Sequence, residues 1–189
     1  MADVLKYGDK VHLQNGYDSW KGGYLDTCGH DTTGNKYGVS TADSPTRAEG
    51  TGTWEISSAT GKAVGAEVLT GDVIYLRNLY GGDGGYLDTC GHATGEATGN
   101  KYEVSTSAGK DRAAGTGRWR VFAESSSPND TKVREGDLVH ILNGYKDWNG
   151  GFLDTCGHDT TGNKYGVSTS DYCDRGKGTG TWKFVKATA

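Results

Sequence analysis

Proline occurs only twice and methionine once in this 189-residue chain. No apolar run approaches the roughly 18 residues a membrane-spanning helix needs. The opening Met1-Ala2-Asp3-Val4-Leu5-Lys6-Tyr7 lacks the apolar core of a secretion signal. The expectation is therefore a chain that is cytoplasmic as synthesised, is not inserted in membranes, and meets extracellular partners only on release. Basic charge is not in excess: 20 Lys and Arg face 24 Asp and Glu, a net charge of −4, which argues against nucleic acid as a partner. Also missing are Gly-x-Ser-x-Gly, His-Glu-x-x-His and a phosphate-binding loop, so no enzyme, cofactor or metal is expected. What is abundant is glycine, 32 residues without a Gly-X-Y period, together with 5 Trp and 11 Tyr in a chain that is only 33% apolar. Such a composition fits a small core and many short strands punctuated by turns.

The chain repeats itself three times. Leu-Asp-Thr-Cys-Gly-His stands at 25–30, 87–92 and 153–158, followed by Thr-Gly-Asn-Lys-Tyr at 33–37, 98–102 and 161–165 and by Val-Ser-Thr at 39–41, 104–106 and 167–169. Each unit closes on Gly-Thr-Gly-x-Trp, ending at Trp54, Trp119 and Trp182. The units are 1–65, 66–130 and 131–189, read as one domain.

Within a unit the apolar residues alternate, as in Val11-His12-Leu13 and Trp54-Glu55-Ile56, which is the pattern of half-buried strands. In unit one these fall at about 10–15, 23–28, 36–41 and 53–57, giving about twelve strands in all. The order of strand, Gly-Gly-Tyr-Leu-Asp, Lys-Tyr-Gly-Val-Ser-Thr and Gly-Thr-Trp-Glu-Ile resembles the unit of fascin-like and cytokine-like trefoils over the whole chain. The resemblance implies an all-β fold, a β-trefoil of three four-stranded repeats with pseudo-threefold symmetry. By the same resemblance, strands one and four of each unit close a six-stranded barrel and strands two and three cap it as hairpins. The expected core is Val11, Ile74 and Val139; Leu13, Leu76 and Ile141; Leu25, Leu87 and Leu153; Val39, Val104 and Val167; Trp54, Trp119 and Trp182; Ile56, Val121 and Phe184. Residues 57–67 and 122–132 connect the units, and His12, Tyr75 and His140 are expected to face solvent.

Residues 25–41 and 153–169 are identical, although the core dictates only a few of these positions. The surplus polar residues suit hydroxyl recognition. Candidate carbohydrate contacts are Asp26, His30, Asn35, Lys36 and Tyr37; Asp88, His92, Asn100, Lys101 and Tyr102; Asp154, His158, Asn163, Lys164 and Tyr165. The alternative is a tandem duplication whose copies have not diverged, with Asp26 satisfying loop amides. Trp20 and Trp148, in Gly-rich loops, offer either a flat face for a sugar ring or lids folded on the barrel. Unit two lacks this Trp, carries three extra residues between His92 and Gly99, and has Glu103 where the others have Gly. Units one and three are therefore the favoured sites. Cys28, Cys90 and Cys156 are expected as reduced, small buried hydrophobes, with a Cys156–Cys173 bond as the alternative. The expected function is carbohydrate binding by a lectin with up to three related sites for cell-surface glycans or glycoconjugates; the alternative is a protein-interaction trefoil of cytoskeletal or toxin-associated type.

Overall fold

A computed structural model describes residues 2–124 and 130–188; residues 125–129 of the connection expected at 122–132 lie outside the described residues. Each unit supplies four strands: β1 (Lys10–Asn15), β2 (Tyr24–His30), β3 (Tyr37–Ala42) and β4 (Trp54–Ser58) in the first; β5 (Val73–Asn78), β6 (Gly85–His92), β7 (Tyr102–Ser107) and β8 (Trp119–Ala123) in the second; β9 (Val139–Asn143), β10 (Phe152–His158), β11 (Tyr165–Ser170) and β12 (Trp182–Lys186) in the third. Strands β1, β12, β9, β8, β5 and β4 pair in a closed antiparallel ring. The hairpins β2–β3, β6–β7 and β10–β11 cover one end, where β3, β7 and β11 also pair with one another. This is a β-trefoil.

Alternation explains the barrel, because Val11 and Leu13 on β1 and Trp54 and Ile56 on β4 turn into the core while the residues between them belong to the opposite face of the strand. All eighteen expected core side chains are buried. Each barrel Trp also closes a hydrogen bond: the indole N–H of Trp54, Trp119 and Trp182 donates to the carbonyl of Leu25, Leu87 and Leu153 at 3.0, 2.9 and 2.9 Å. One buried polar atom per unit is thus satisfied on the strand that begins the capping hairpin.

Two features depart from the sequence reading. Leu5, Val68 and Val133 form an additional layer of the core. Their amides and carbonyls bond in a circle, Leu5 to Val133, Val133 to Val68 and Val68 to Leu5, at 2.8–2.9 Å. His12, expected in solvent, is instead buried, with Nδ1 2.9 Å from the Gly52 carbonyl. His140 is half-buried and makes the equivalent contact to Gly180 at 3.0 Å, so the imidazoles serve as loop braces.

Replacement of Trp119 by Ala removes both the largest side-chain volume of its unit and a donor to Leu87. Chemical denaturation should show a loss of about 3–5 kcal/mol.

Candidate functional site

The polar residues of the repeated hairpin are mostly consumed in holding the units together. Asn35 Nδ2 of unit one donates to Asp88 Oδ2 and Ser105 Oγ of unit two, both at 2.9 Å. Asn100 of unit two reaches Asp154 and Ser168 at 3.0 and 2.7 Å, and Asn163 of unit three returns to Asp26 and Ser40 at 2.9 Å each. The lysines run the same way round: Lys36 Nζ donates to the Asp83 carbonyl, Lys101 pairs with Asp171 and Lys164 with Asp43. Asp26, Asp88 and Asp154 are fully buried, and a guanidinium of their own unit lies against each Oδ2: Arg47 at 2.7 Å, Arg112 at 3.1 Å and Arg175 at 3.2 Å. The three aspartates and three asparagines are therefore corrected from sugar contacts to inter-unit fasteners. Arg and Asn both meet Oδ2 of a carboxylate that is itself fully buried.

A second fastener positions an aromatic residue. Buried Asn15, Asn78 and Asn143, at the ends of β1, β5 and β9, accept through Oδ1 from the backbone N–H of Tyr17, Tyr80 and Tyr145 at 3.0–3.1 Å. Through Nδ2 they donate to the carbonyls of Thr179, Thr51 and Thr116 in the preceding unit. The Asn side chains pack so closely on Gly22, Gly84 and Gly150 that a Cβ there would sit 2.1–2.2 Å from Oδ1. Each tyrosine is consequently carried onto the neighbouring unit's hairpin.

Three equivalent clefts result, one at each junction between units. The first is lined by His30, Tyr37, Arg47 and Tyr80; the second by His92, Tyr102, Arg112 and Tyr145; the third by His158, Tyr165, Arg175 and Tyr17. Their cavity volumes are about 260, 180 and 390 Å³. A β-bulge in β2, β6 and β10 brings each His beside the Tyr that opens the next strand, with ring centroids 5.5–5.6 Å apart. The neighbour's Tyr meets that ring edge-on at 5.4–5.6 Å. Each Arg also donates from Nη2 to the carbonyl of Thr27, Thr89 or Thr155 at 2.8–2.9 Å. Its Nη1 makes no hydrogen bond among the described residues, and the side chain, 37–40% exposed, lines the cleft.

Of the residues singled out from sequence, the three His and the three hairpin Tyr thus line clefts. Lys36, Lys101 and Lys164 do not. Trp20 and Trp148 each follow two residues of left-handed backbone and share that conformation in the turns Tyr17–Trp20 and Tyr145–Trp148, and each is half-buried with a cation, Lys183 or Arg120, 4.1 Å from its ring centre. They line none of the three clefts. Cys28, Cys90 and Cys156 are half-buried and free, and Cys173 is exposed and free, so the Cys156–Cys173 bond is not formed. Sequence reasoning missed the three Arg and Tyr17, Tyr80 and Tyr145, although both sets recur: an Arg seven positions before each closing Trp and a Tyr two positions after each strand-ending Asn.

The departures in unit two belong together. Glu103 accepts from the Thr94 N–H and hydroxyl at 3.3 and 2.8 Å, holding the base of the inserted loop. The turn Gly95–Ala97 then lays Glu96 on unit three, where its carboxylate accepts the His158 backbone N–H at 2.6 Å and lies 3.2 Å from Nδ1. Those hydrogen bonds hold the Glu96 carboxyl below its ordinary range.

No protein-family model matches the chain. No curated protein matches it either. Solved structures do match in fold. A Caenorhabditis elegans protein of unknown function superposes with a TM-score of 0.74 at 17% identity, over 97% of each chain. A chain of the Saccharomyces cerevisiae protein O-mannosyltransferase complex bound to the sugar donor gives 0.68 at 16%, over 98% of this chain and 26% of that one. The receptor binding domain of botulinum neurotoxin C/D mosaic serotype gives 0.65 at 16%, over 97% and 43%. At these identities the likeness is one of fold.

The fasteners have a pH signature. Burial pushes the carboxyls of Asp88 and Asp154 above the ordinary 3.8, outweighing the nearby Thr116 and Thr179 hydroxyls, the guanidinium and the Asn, and Oδ1 makes no hydrogen bond. The folded protein therefore binds these protons more tightly than the unfolded chain. Their stabilising contribution is complete below about 3.8 and is lost as pH rises through the higher folded value. Asp88→Asn removes one such titration. The melting temperature of the native protein minus that of the variant should increase as pH falls toward 4.

Proposed function

We propose that the protein binds carbohydrate, in the manner of a lectin, through the three clefts at the unit junctions. The observation that carries this reading is the threefold recurrence of a half-exposed Tyr pair beside His and a partly exposed guanidinium, none of which the barrel core requires. A pair of phenol rings gives an apolar wall for the C–H face of a sugar, and their hydroxyls, the imidazole and the Arg Nη1 give donors and acceptors around its rim. Shallow clefts of this size suit one or two sugar rings, with strength supplied by multiplicity. Solved structures of the same fold include a receptor binding domain and a chain of a complex with a sugar donor, which is compatible with this use of the scaffold.

Geometry also alters which units act together. A site is not the property of one repeat, because the Tyr of each loop between strands one and two completes the cleft of the preceding hairpin. The shorter loop of unit two consequently affects the first cleft, where Tyr80 is 43% exposed.

On a glycan-coated surface, Tyr17→Ala, Tyr80→Ala and Tyr145→Ala combined should abolish retention while each alone weakens it, since loss of multivalency costs about 10²–10⁴ in apparent affinity. Trp20→Ala with Trp148→Ala should leave retention unchanged. A triple variant that keeps its melting temperature and still binds would remove the clefts from consideration.

A further inference from the structure

The three clefts share their aromatic lining, but only the third has a Lys in its wall. Two residues after Arg47, Arg112 and Arg175 stand Glu49, Ala114 and Lys177, all exposed. Lys177 lines the third cleft, the largest of the three, and makes no ion pair among the described residues. Its carbonyl accepts the Asp18 N–H at 3.1 Å, which fixes its backbone beside the loop that carries Tyr17. No carboxylate among the described residues lines this cleft: Asp154 is fully buried against the guanidinium, Asp174 accepts from the Gly178 N–H, and Glu96 is engaged with His158.

In each cleft the Arg uses one edge, Nε and one N–H of Nη2, for Asp and a Thr carbonyl. A guanidinium offers five N–H donors in a fixed plane, so the other end, the Nη1 and Nη2 fork, is left for a ligand. That fork matches the two oxygens of a carboxylate. Only in the third cleft does a second cation stand beside it. In unit one the equivalent chain position is Glu49, which does not line the first cleft and brings no cation to it. With a net charge of −4 the chain as a whole has no field to gather polyanions, so recognition of charge here is short-range and local.

Resting on the carbohydrate reading, we propose that the third cleft selects a sugar that bears a carboxylate, a uronic-acid type residue, with the Arg175 fork taking its two oxygens and Lys177 adding the second cation. The first and second clefts take neutral sugar.

The test is a titration of the isotopically labelled full chain, followed by NMR at the amides of residues 176–179, 113–116 and 48–51, with methyl glucuronide, methyl glucoside and acetate. The two glycosides differ only in carboxylate against hydroxymethyl. At the third cleft glucuronide should bind at least roughly tenfold more tightly than glucoside, as expected for one charge-assisted pair of hydrogen bonds, and acetate far more weakly than glucuronide. Lys177→Gln should reduce that preference. Ala114→Lys should create it at the second cleft, where Ala114 already has the left-handed backbone of Lys177, φ 49° against 54°. Equal binding of the two glycosides would overturn the charge selection and leave the carbohydrate reading standing. Acetate binding as tightly as glucuronide would make the third cleft a general carboxylate site and overturn the sugar as its source. No shift at any cleft with either glycoside, on this probe or on immobilised glycans, would overturn both.

Discussion

Everything in this molecule depends on a carboxylate placed where water cannot reach it. Asp26, Asp88 and Asp154 sit at full burial on the second strand of each unit, and each is held from one side by an Arg of its own unit and from the other by an Asn of the preceding unit in the cycle. A buried ion pair of this kind contributes little net stability, because removing the charges from water costs about as much as their attraction returns. What it supplies is geometry. With the Asn aimed at a single oxygen, the hairpin of one unit has one register on the next, and the Arg that pairs with the Asp is drawn to the cleft wall.

The same constraint explains how much of the fold was legible from sequence and how little of the site. Strand positions agreed to within a residue or two at most ends, because alternation and glycine-rich turns are local signals, and every core residue named from the pattern is buried. Leu5, Val68 and Val133 were not anticipated because each lies in a short segment paired by single bridges, with no alternating partner nearby. The polar residues were misread for a different reason. Asp26 and Asn35 look the same in sequence whether they face a ligand or a neighbouring unit, and only burial distinguishes the two. A sharper signal was available in the repeats themselves. Trp20 and Trp148 occur twice, whereas Arg47 with its two equivalents and Tyr17 with its two equivalents occur three times, and it is the threefold residues that meet in the clefts.

The indoles are instructive as a contrast. Their turns run through left-handed backbone that ordinary residues avoid, at Asp18, Ser19 and Trp20 and again at Lys146, Asp147 and Trp148. Lys183 and Arg120, stacked at 4.1 Å, hold these rings down as braces for a strained turn. A Trp in a polar loop thus serves the loop, and the Tyr three positions earlier serves the surface.

The two sets of fasteners run in opposite directions: through the hairpin Asn unit one grips unit two, unit two grips unit three and unit three grips unit one, while the strand-ending Asn15, Asn78 and Asn143 each reach back to the preceding unit. Each hairpin is therefore both a plug and a socket, and a change to one unit must be accommodated by its neighbour before it can persist. A plug altered alone no longer matches the socket it enters, a constraint that bears on the twin sequences 25–41 and 153–169. Unit two carries its longer loop on a matched set of contacts: Glu103 anchors it and Glu96 grips the adjoining unit. A viable alteration of this ring is therefore a matched pair of residues across a junction more than a single position.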